Sequence, residues 1–326
     1  MAFQGLVEFL SDTLRLLINV FLTSWQDLTG FQGSLELGII YAIMALGVFI
    51  SFRTLNMPDL TVDGSFVLGA AISATFCSNG QPLLGVGLAF LAGCMAGSVT
   101  AWLHTKLKIQ PLLAGILVML GLYSVNLRAM GGRANIALVN KTTVFDFLSG
   151  NTLGQYTGLI IPTIVLLMVL LLLFLFLQTR LGLVLRATGD NDQMVRALGV
   201  NTDLTILIGL ALSNGFVALS GSLIAQYQSF ADISMGVGMV VIGLASVIIG
   251  EVLFGINSLL RRLIAVVLGA ILYRLVIALA FDLGMPATDL KLVSALIVAL
   301  ALSTPIIRER LFSFRKRRMI RQGREA

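Results

Sequence analysis

Charge is scarce in this chain. Only 12% of its 326 residues are Asp, Glu, Lys or Arg, against 57% hydrophobic, whereas a soluble domain is about a quarter charged. No water-soluble fold hides that much apolar surface, so a soluble globular protein is excluded. Histidine is rarer still: His104 stands alone. A histidine-based metal site therefore lacks its second imidazole, and His104, close to Lys106, marks a helix end. Cys77 and Cys94 are the two cysteines, both in or beside apolar segments. Two thiols make no disulfide framework, and they read as small apolar fillers. No Gly-Lys pair occurs anywhere, which excludes the glycine-rich phosphate cradle of an ATP site. If ATP drives this protein, another chain binds it. The N-terminus carries Glu8 and Asp12 before any basic residue, unlike a cleavable signal peptide.

The charges that are present lie in a few short segments between apolar runs. A membrane helix needs roughly 20 apolar residues to cross about 30 Å of hydrocarbon, and the runs have that spacing. Candidate spans are Leu35 to Ser51, Gly64 to Phe76, Leu83 to Leu103, Leu112 to Leu127, Gly158 to Leu177, Leu204 to Gln226, Gly236 to Gly250, Leu263 to Phe281 and Leu290 to Ser303. The expected fold is all-α, a polytopic transmembrane bundle of about nine spans. Before it, Gly5 to Leu22 places Glu8, Asp12 and Arg15 on one helical face and reads as an interfacial amphipathic helix. The chain thus divides into an amphipathic segment 1–30, a transmembrane domain 31–305 and a basic tail 306–326.

An odd number of crossings puts the termini on opposite sides. With the basic tail in the cytoplasm, counting back places Arg53, Lys106, Lys108, Arg180, Arg186, Arg196, Arg261 and Arg262 inside with the eight arginines and lysine of the tail, sixteen of 22 basic residues. Arg15, Arg128, Arg133, Lys141 and Lys291 fall outside or at the outer edge. The positive-inside rule favours this orientation, an outside N-terminus and an inside C-terminus. The net charge of +6 then reflects anchoring to anionic membrane lipid and not nucleic acid, for which no aromatic-interleaved basic module exists. Arg274 stays within a span, about two turns from the outer end, where snorkelling is expected.

Gly85, Ala89, Gly93, Gly97 and Ala101 recur every fourth position along the third span, a smooth stripe that lets another helix approach closely. Gly64 to Phe76 and Gly236 to Gly250 are too short to cross alone. The segment Asn56 to Asp63 must therefore enter the membrane depth, and Ala231 to Ser234 precedes the second short span in the same way. Interrupted short helices in corresponding places of two halves point to a transport site between inverted repeats. A faint echo of Gln110 to Val118 in Lys291 to Val298, on spans of opposite direction, fits that arrangement.

Asp59, Thr61, Asp63 and Ser65, with Asn126 and Asn214, are the candidate substrate-pathway residues, because polar groups within membrane spans mark function. Asp63 reads equally as an N-cap for a helix starting at Gly64, and the two asparagines read also as bridges between helices. In the cytoplasmic loop 186–201, Asn191 can cap a short helix, Met194 and Leu198 share one face, and Gly199 supplies a left-handed stop. A capped connector or a knob seating on a motor subunit both fit. Leu219 to Ser222 reads as a helix-packing face.

The pattern Gly-x-Asn-x-x-x-x-Arg-x-x-Gly-Val, here Gly189 to Val200, followed by a span rich in small residues, resembles the coupling region of permeases in the branched-chain amino acid and ribose importer superfamily. Phe52 to Phe66, with Ser124 to Arg128, is similar to a narrower branch associated with tryptophan and tyrosine uptake. The resemblance runs from about Leu35 to Pro305. It implies a bacterial inner-membrane ABC importer permease, with Arg186, Gly189, Asp190, Asn191, Met194, Arg196, Leu198 and Gly199 as the ATPase-coupling residues. It implies as partners two ABC ATPase subunits that hold the ATP and Mg, an extracytoplasmic substrate-binding protein and a second permease copy in a homodimer. This chain would then bind no cofactor or metal and have no catalytic residue. The alternatives are an ion-coupled secondary transporter, a permease for a sugar or nucleoside, and an intramembrane protease using Asp59 and Asp63. Against the last, the two acids lie four apart on one short segment.

Overall fold

A computed structural model describes residues 28–148 and 156–282, with positions 292, 295, 296 and 299. The amphipathic segment 5–22, the span Leu290 to Ser303, most of the echo 291–298 and the basic tail lie outside the described residues. Within them the chain is helical: α1 (Leu28–Val48), α2 (Thr61–Ser78), α3 (Pro82–Leu107), α4 (Pro111–Ala129), α5 (Thr157–Gln178), α6 (Arg180–Asp190), α7 (Asp192–Ala197), α8 (Thr202–Gln228), α9 (Met239–Phe254) and α10 (Leu259–Asp282). Two three-residue strands, β1 (Asn135–Ala137) and β2 (Phe230–Asp232), pair antiparallel between loops. Seven helices are long and apolar enough to cross a membrane, and α9 is a shorter apolar one. These eight match the first eight expected spans.

Burial sorts the helices into a centre and a rim. The spans containing α1, α2 and α8 are 72–78% buried over their apolar windows, whereas α3, α4 and α5 are 28–33% buried. The rim helices keep apolar outer faces, such as Leu91, Met95 and Val99 on α3 and Leu167, Leu171 and Leu175 on α5, as a bundle immersed in hydrocarbon requires. The anticipated stripe on α3 packs against α2 at Gly85 and against α8 at Gly93 and Gly97. A methyl on Gly97 would collide with the Leu210 carbonyl and one on Gly93 with the Asn214 carbonyl, so only glycine allows this backbone-to-backbone seam. Gly221 sits against the Phe66 carbonyl in the same fashion, and Ser220 Oγ donates to the Ile40 carbonyl at 2.8 Å. Leu219 to Ser222 is a packing face.

Contacts between helices fix their directions. Along α2, Leu60, Gly64 and Thr75 meet Gly115, Leu122 and Ala129 of α4 in turn, so α2 and α4 are parallel. Ser65 and Ser73 meet Asn214 and Ser222 of α8, again in parallel. The order is reversed for α3 against α8 and for α9 against α10. The helix ends fall into two sets. One joins Arg53, Lys106, Arg196, Asp203, Glu251 and Arg262; the other joins Asn135 with Asp232 and Glu36 with Tyr227. This is the alternation that the charge distribution required.

Two boundaries beside the polar segment 56–63 differ from expectation. The second span begins at Thr61, not Gly64, and has 18 residues, about 27 Å. The reason is local: Asp59 Oδ1 accepts the Thr61 amide at 2.9 Å, which starts the helix three residues earlier. The first span does not stop at Ser51 but widens into a π-helical turn, Phe49–Thr54, with Leu55 N donating to the Ile50 carbonyl at 2.9 Å.

Candidate functional site

Asp59, Thr61, Ser65 and Asn214 converge in the interior of the single chain. Asn214 Nδ2 donates to Asp59 Oδ2 at 2.7 Å, and Ser65 Oγ donates to Asn214 Oδ1 at 2.7 Å. Thr61 Oγ1 and Thr100 Oγ1 lie 2.7 Å apart. All five residues are buried, Asp59 with 1% of its surface accessible. Thr100 is seven residues from the end of α3 and Asn214 twelve from the start of α8, about 10 and 18 Å along those helices. The segment before α2 therefore does reach membrane depth. There it ties α2 to both α3 and α8, and both Asp59 oxygens have partners, as a buried carboxylate needs.

Asp63 acts elsewhere than expected. It does not cap its own helix, which has already started at Thr61. Its carboxylate reaches the start of α9, accepting the amides of Gly238 at 3.1 Å and Val240 at 2.9 Å. Gly236 has no room for a side chain against the Asp63 carbonyl. Two short helices of opposite direction thus begin at one level, each with an aspartate on its free amides, where the positive end of a helix dipole favours negative charge. Asn126 lies on α4 and donates to the Gly64 carbonyl at 3.1 Å, with its Oδ1 buried and without a partner among the described residues. Asn126 and Asn214 both bridge helices. Arg274 does not run out along its helix: its guanidinium lies over the Tyr41 ring, 5.3 Å from the centroid.

The loop 186–201 is a helical hairpin and not one helix. Arg186, Gly189 and Asp190 belong to α6, which Thr179 caps, and Asn191 caps α7 by accepting the Met194 amide at 3.0 Å. Gly199 has φ of +80°. Met194 and Leu198 stand exposed, at 52% and 73%, whereas Val195 of the same helix is buried; Val195 faces the bundle and is no part of the exposed patch. Arg196 pairs with Asp203 at 3.1 Å, and Lys106 approaches the same carboxylate at 3.6 Å. Between α6–α7 and the segment after the π-helical turn lies a cleft of about 350 Å³, lined among others by Asn56, His104 and Asp190. His104 Nδ1 is 2.8 Å from the Ile109 carbonyl and closes the end of α3.

Three features escaped the sequence reading. Glu251 holds Arg53 and Arg262, each at 2.8 Å. Glu36, largely buried, accepts from Tyr227 at 2.7 Å and from Gln32 at 3.1 Å. Thr100 joins Thr61. Glu36 and Glu251 sit near span ends, where an isolated carboxylate reads as an interfacial residue; Tyr227 is 191 residues from Glu36 and Arg53 is 198 from Glu251.

A multi-pass helical bundle with broken central helices, polar joints at membrane depth and a capped hairpin between spans is the architecture of a polytopic membrane protein. Residues 31–302 match the family model described as branched-chain amino acid transport system / permease component. The chain belongs to that family, as the permease component of an ABC-type transport system in the bacterial inner membrane. It is 41% identical over 278 residues to a tyrosine transport system permease protein of Clostridioides difficile (strain R20291), covering 85% of this chain and 92% of that one. It is 34% identical over 276 residues to an uncharacterized protein of Rickettsia prowazekii (strain Madrid E), covering 83% and 96%. To the ribose import permease protein of Escherichia coli (strain K12) it is 27% identical over 214 residues, 65% of each. No solved structure matches the chain.

Proposed function

We propose that this permease is the membrane-spanning subunit of an ATP-driven importer and passes a small amino acid, of the aromatic class, into the cytoplasm. In this reading an extracytoplasmic binding protein delivers the solute, two copies of the permease enclose the pathway, and two ATPase subunits hold ATP and Mg on the cytoplasmic side. The permease forms and breaks no covalent bond. The observation that carries the reading is the exposed pair Met194 and Leu198 on capped α7, at the helix ends that charge places in the cytoplasm. Exposed apolar side chains held rigidly in water fit a protein partner. The Asp59–Asn214 cluster and the Asp63 cap brace the helices beside the pathway.

The amino acid class is supported by the relative named for tyrosine transport. The relative named for ribose import is more distant, and a permease that offers a weakly selective passage leaves much of the choice to its binding protein. The test is to purify the tagged permease with its membrane partners and reconstitute it in liposomes. ATP-dependent uptake of labelled tyrosine, with an ATPase subunit retained, is the expected result. Uptake by the permease alone under an ion gradient, with no ATPase, would establish a secondary transporter and overturn the reading.

A further inference from the structure

Resting on that reading, we propose that the segment Phe49–Leu60 is the strut that carries movement of the α6–α7 hairpin to the buried Asp59–Asn214 cluster, with Gly189 and Glu251 as its positioning residues. At its lower end the strut bears on α6 without an intervening side chain. Gly189 lies so close to the Thr54 carbonyl and the Leu55 backbone that a methyl there would collide with both. At its upper end it is Asp59 itself, bonded to Asn214 of α8 and to the Thr61 amide.

The residues on both sides of the Gly189 contact suit transmission. Phe49–Thr54 is a π-helical turn, an inserted geometry that accumulates at functional sites. It hands over to Asn56, whose φ of +53° is a left-handed conformation that asparagine tolerates, and Pro58 follows with φ fixed by its ring. Leu55 and Met57 are buried and Asn56 is exposed, so the segment is gripped through every other residue. Side motion is restrained by Glu251, which sits between Arg53 on the strut and Arg262 at the start of α10. A push on α7 that tilts α6 therefore meets the backbone of Thr54 and Leu55, which the Arg53 ion pair steadies on one side and which leads on the other to an aspartate shared by two helices.

The test uses the full complex in liposomes and reads solute imported per ATP hydrolysed, with ATPase retention in a pull-down measured in parallel. Gly189→Ala is expected to keep the ATPase subunit while the import ratio falls at least about fivefold, the lower range of coupling between sites. Glu251→Gln, which leaves Arg53 and Arg262 free to reach water, tests the strut without forcing a collision and is expected to act in the same direction. The discriminating measurement is the Glu251→Gln, Asp59→Asn double variant. Residues on one route give an effect well short of the product of the single effects, whereas independent sites multiply. Multiplying effects, a normal import ratio in Glu251→Gln, or loss of the ATPase subunit from Gly189→Ala, which would place Gly189 in the partner contact itself, each overturn the proposal. If the wild-type complex imports without ATP, the functional reading falls and the strut falls with it. If the wild type couples normally and these variants do too, only the strut is lost.

Discussion

Asp63 accepts the backbone amide of Val240 at 2.9 Å across 177 residues of sequence. The carboxylate belongs to the first turn of α2, and the amide to the first turn of α9, a helix running the other way. One side chain therefore fixes the relative height of two helices that start at the same level. Asp63→Ala leaves the Gly238 and Val240 amides without this acceptor, at about 1–3 kcal/mol for each unsatisfied group. We expect the detergent-solubilised variant to unfold several degrees below wild type, with Asp63→Asn in between because its remaining oxygen still accepts one amide. Equal melting of all three would show that the cap contributes nothing.

Asp59 should separate two roles by its two substitutions. Asp59→Ala strands both the Thr61 amide and the Asn214 amide and should lower stability by about 2–4 kcal/mol. Asp59→Asn keeps an oxygen for Thr61 but turns an NH2 toward the donor Asn214, so folding should survive. Import should fall while assembly and basal ATP hydrolysis stay largely intact. Failure of Asp59→Asn to assemble would make Asp59 purely structural.

Met194→Asp with Leu198→Asp puts two charges on the exposed face of α7, where burial against a partner would cost several kcal/mol. Neither residue packs inside the chain, so the spans should form as before. Loss of the ATPase subunit, or uncoupled hydrolysis, is the expected outcome of a pull-down and uptake assay. Normal copurification and normal uptake would reduce the hairpin to a connector.

Gly97→Val tests the seam between α3 and α8. A branched side chain must displace the Leu210 backbone, and a loss above about 4 kcal/mol, among the large effects of single substitutions, should leave little folded protein in the membrane fraction. Gly87, with open space around it, is the matched control: Gly87→Val should express normally.

Topology can be read directly with single cysteines in a background lacking Cys77 and Cys94. Val139 and Gln193 are both exposed and lie on opposite ends of the bundle. An impermeant thiol reagent added to intact cells should label Val139→Cys and spare Gln193→Cys. Labelling of both from outside would reject the orientation.

The spans, their alternation and the α3 stripe were legible because hydropathy and small-residue spacing are local signals. Asn191 and Gly199 were legible for the same reason: a cap and a left-handed stop act within one turn. What lay beyond the sequence was pairing at long range. Asp63 reads locally as the cap of the helix that follows it, yet it serves one 177 residues later. Glu251 and Glu36 resemble ordinary interfacial acids until the fold brings their partners to them. Val195 stands next to Met194 in sequence, but a six-residue helix has one buried side, and Val195 is on it.

The α3–α8 seam constrains how the molecule can change shape. Where side chains separate two helices, rotamer changes let them slide in small steps; where carbonyls rest on glycines, no such lubricant exists. Gly93 and Gly97 are held against α8 along successive turns, and Ser65 and Asp59 add α2 through Asn214. These three helices must then travel as one plank. Any alternation between outward and inward openings has to carry this plank as a unit.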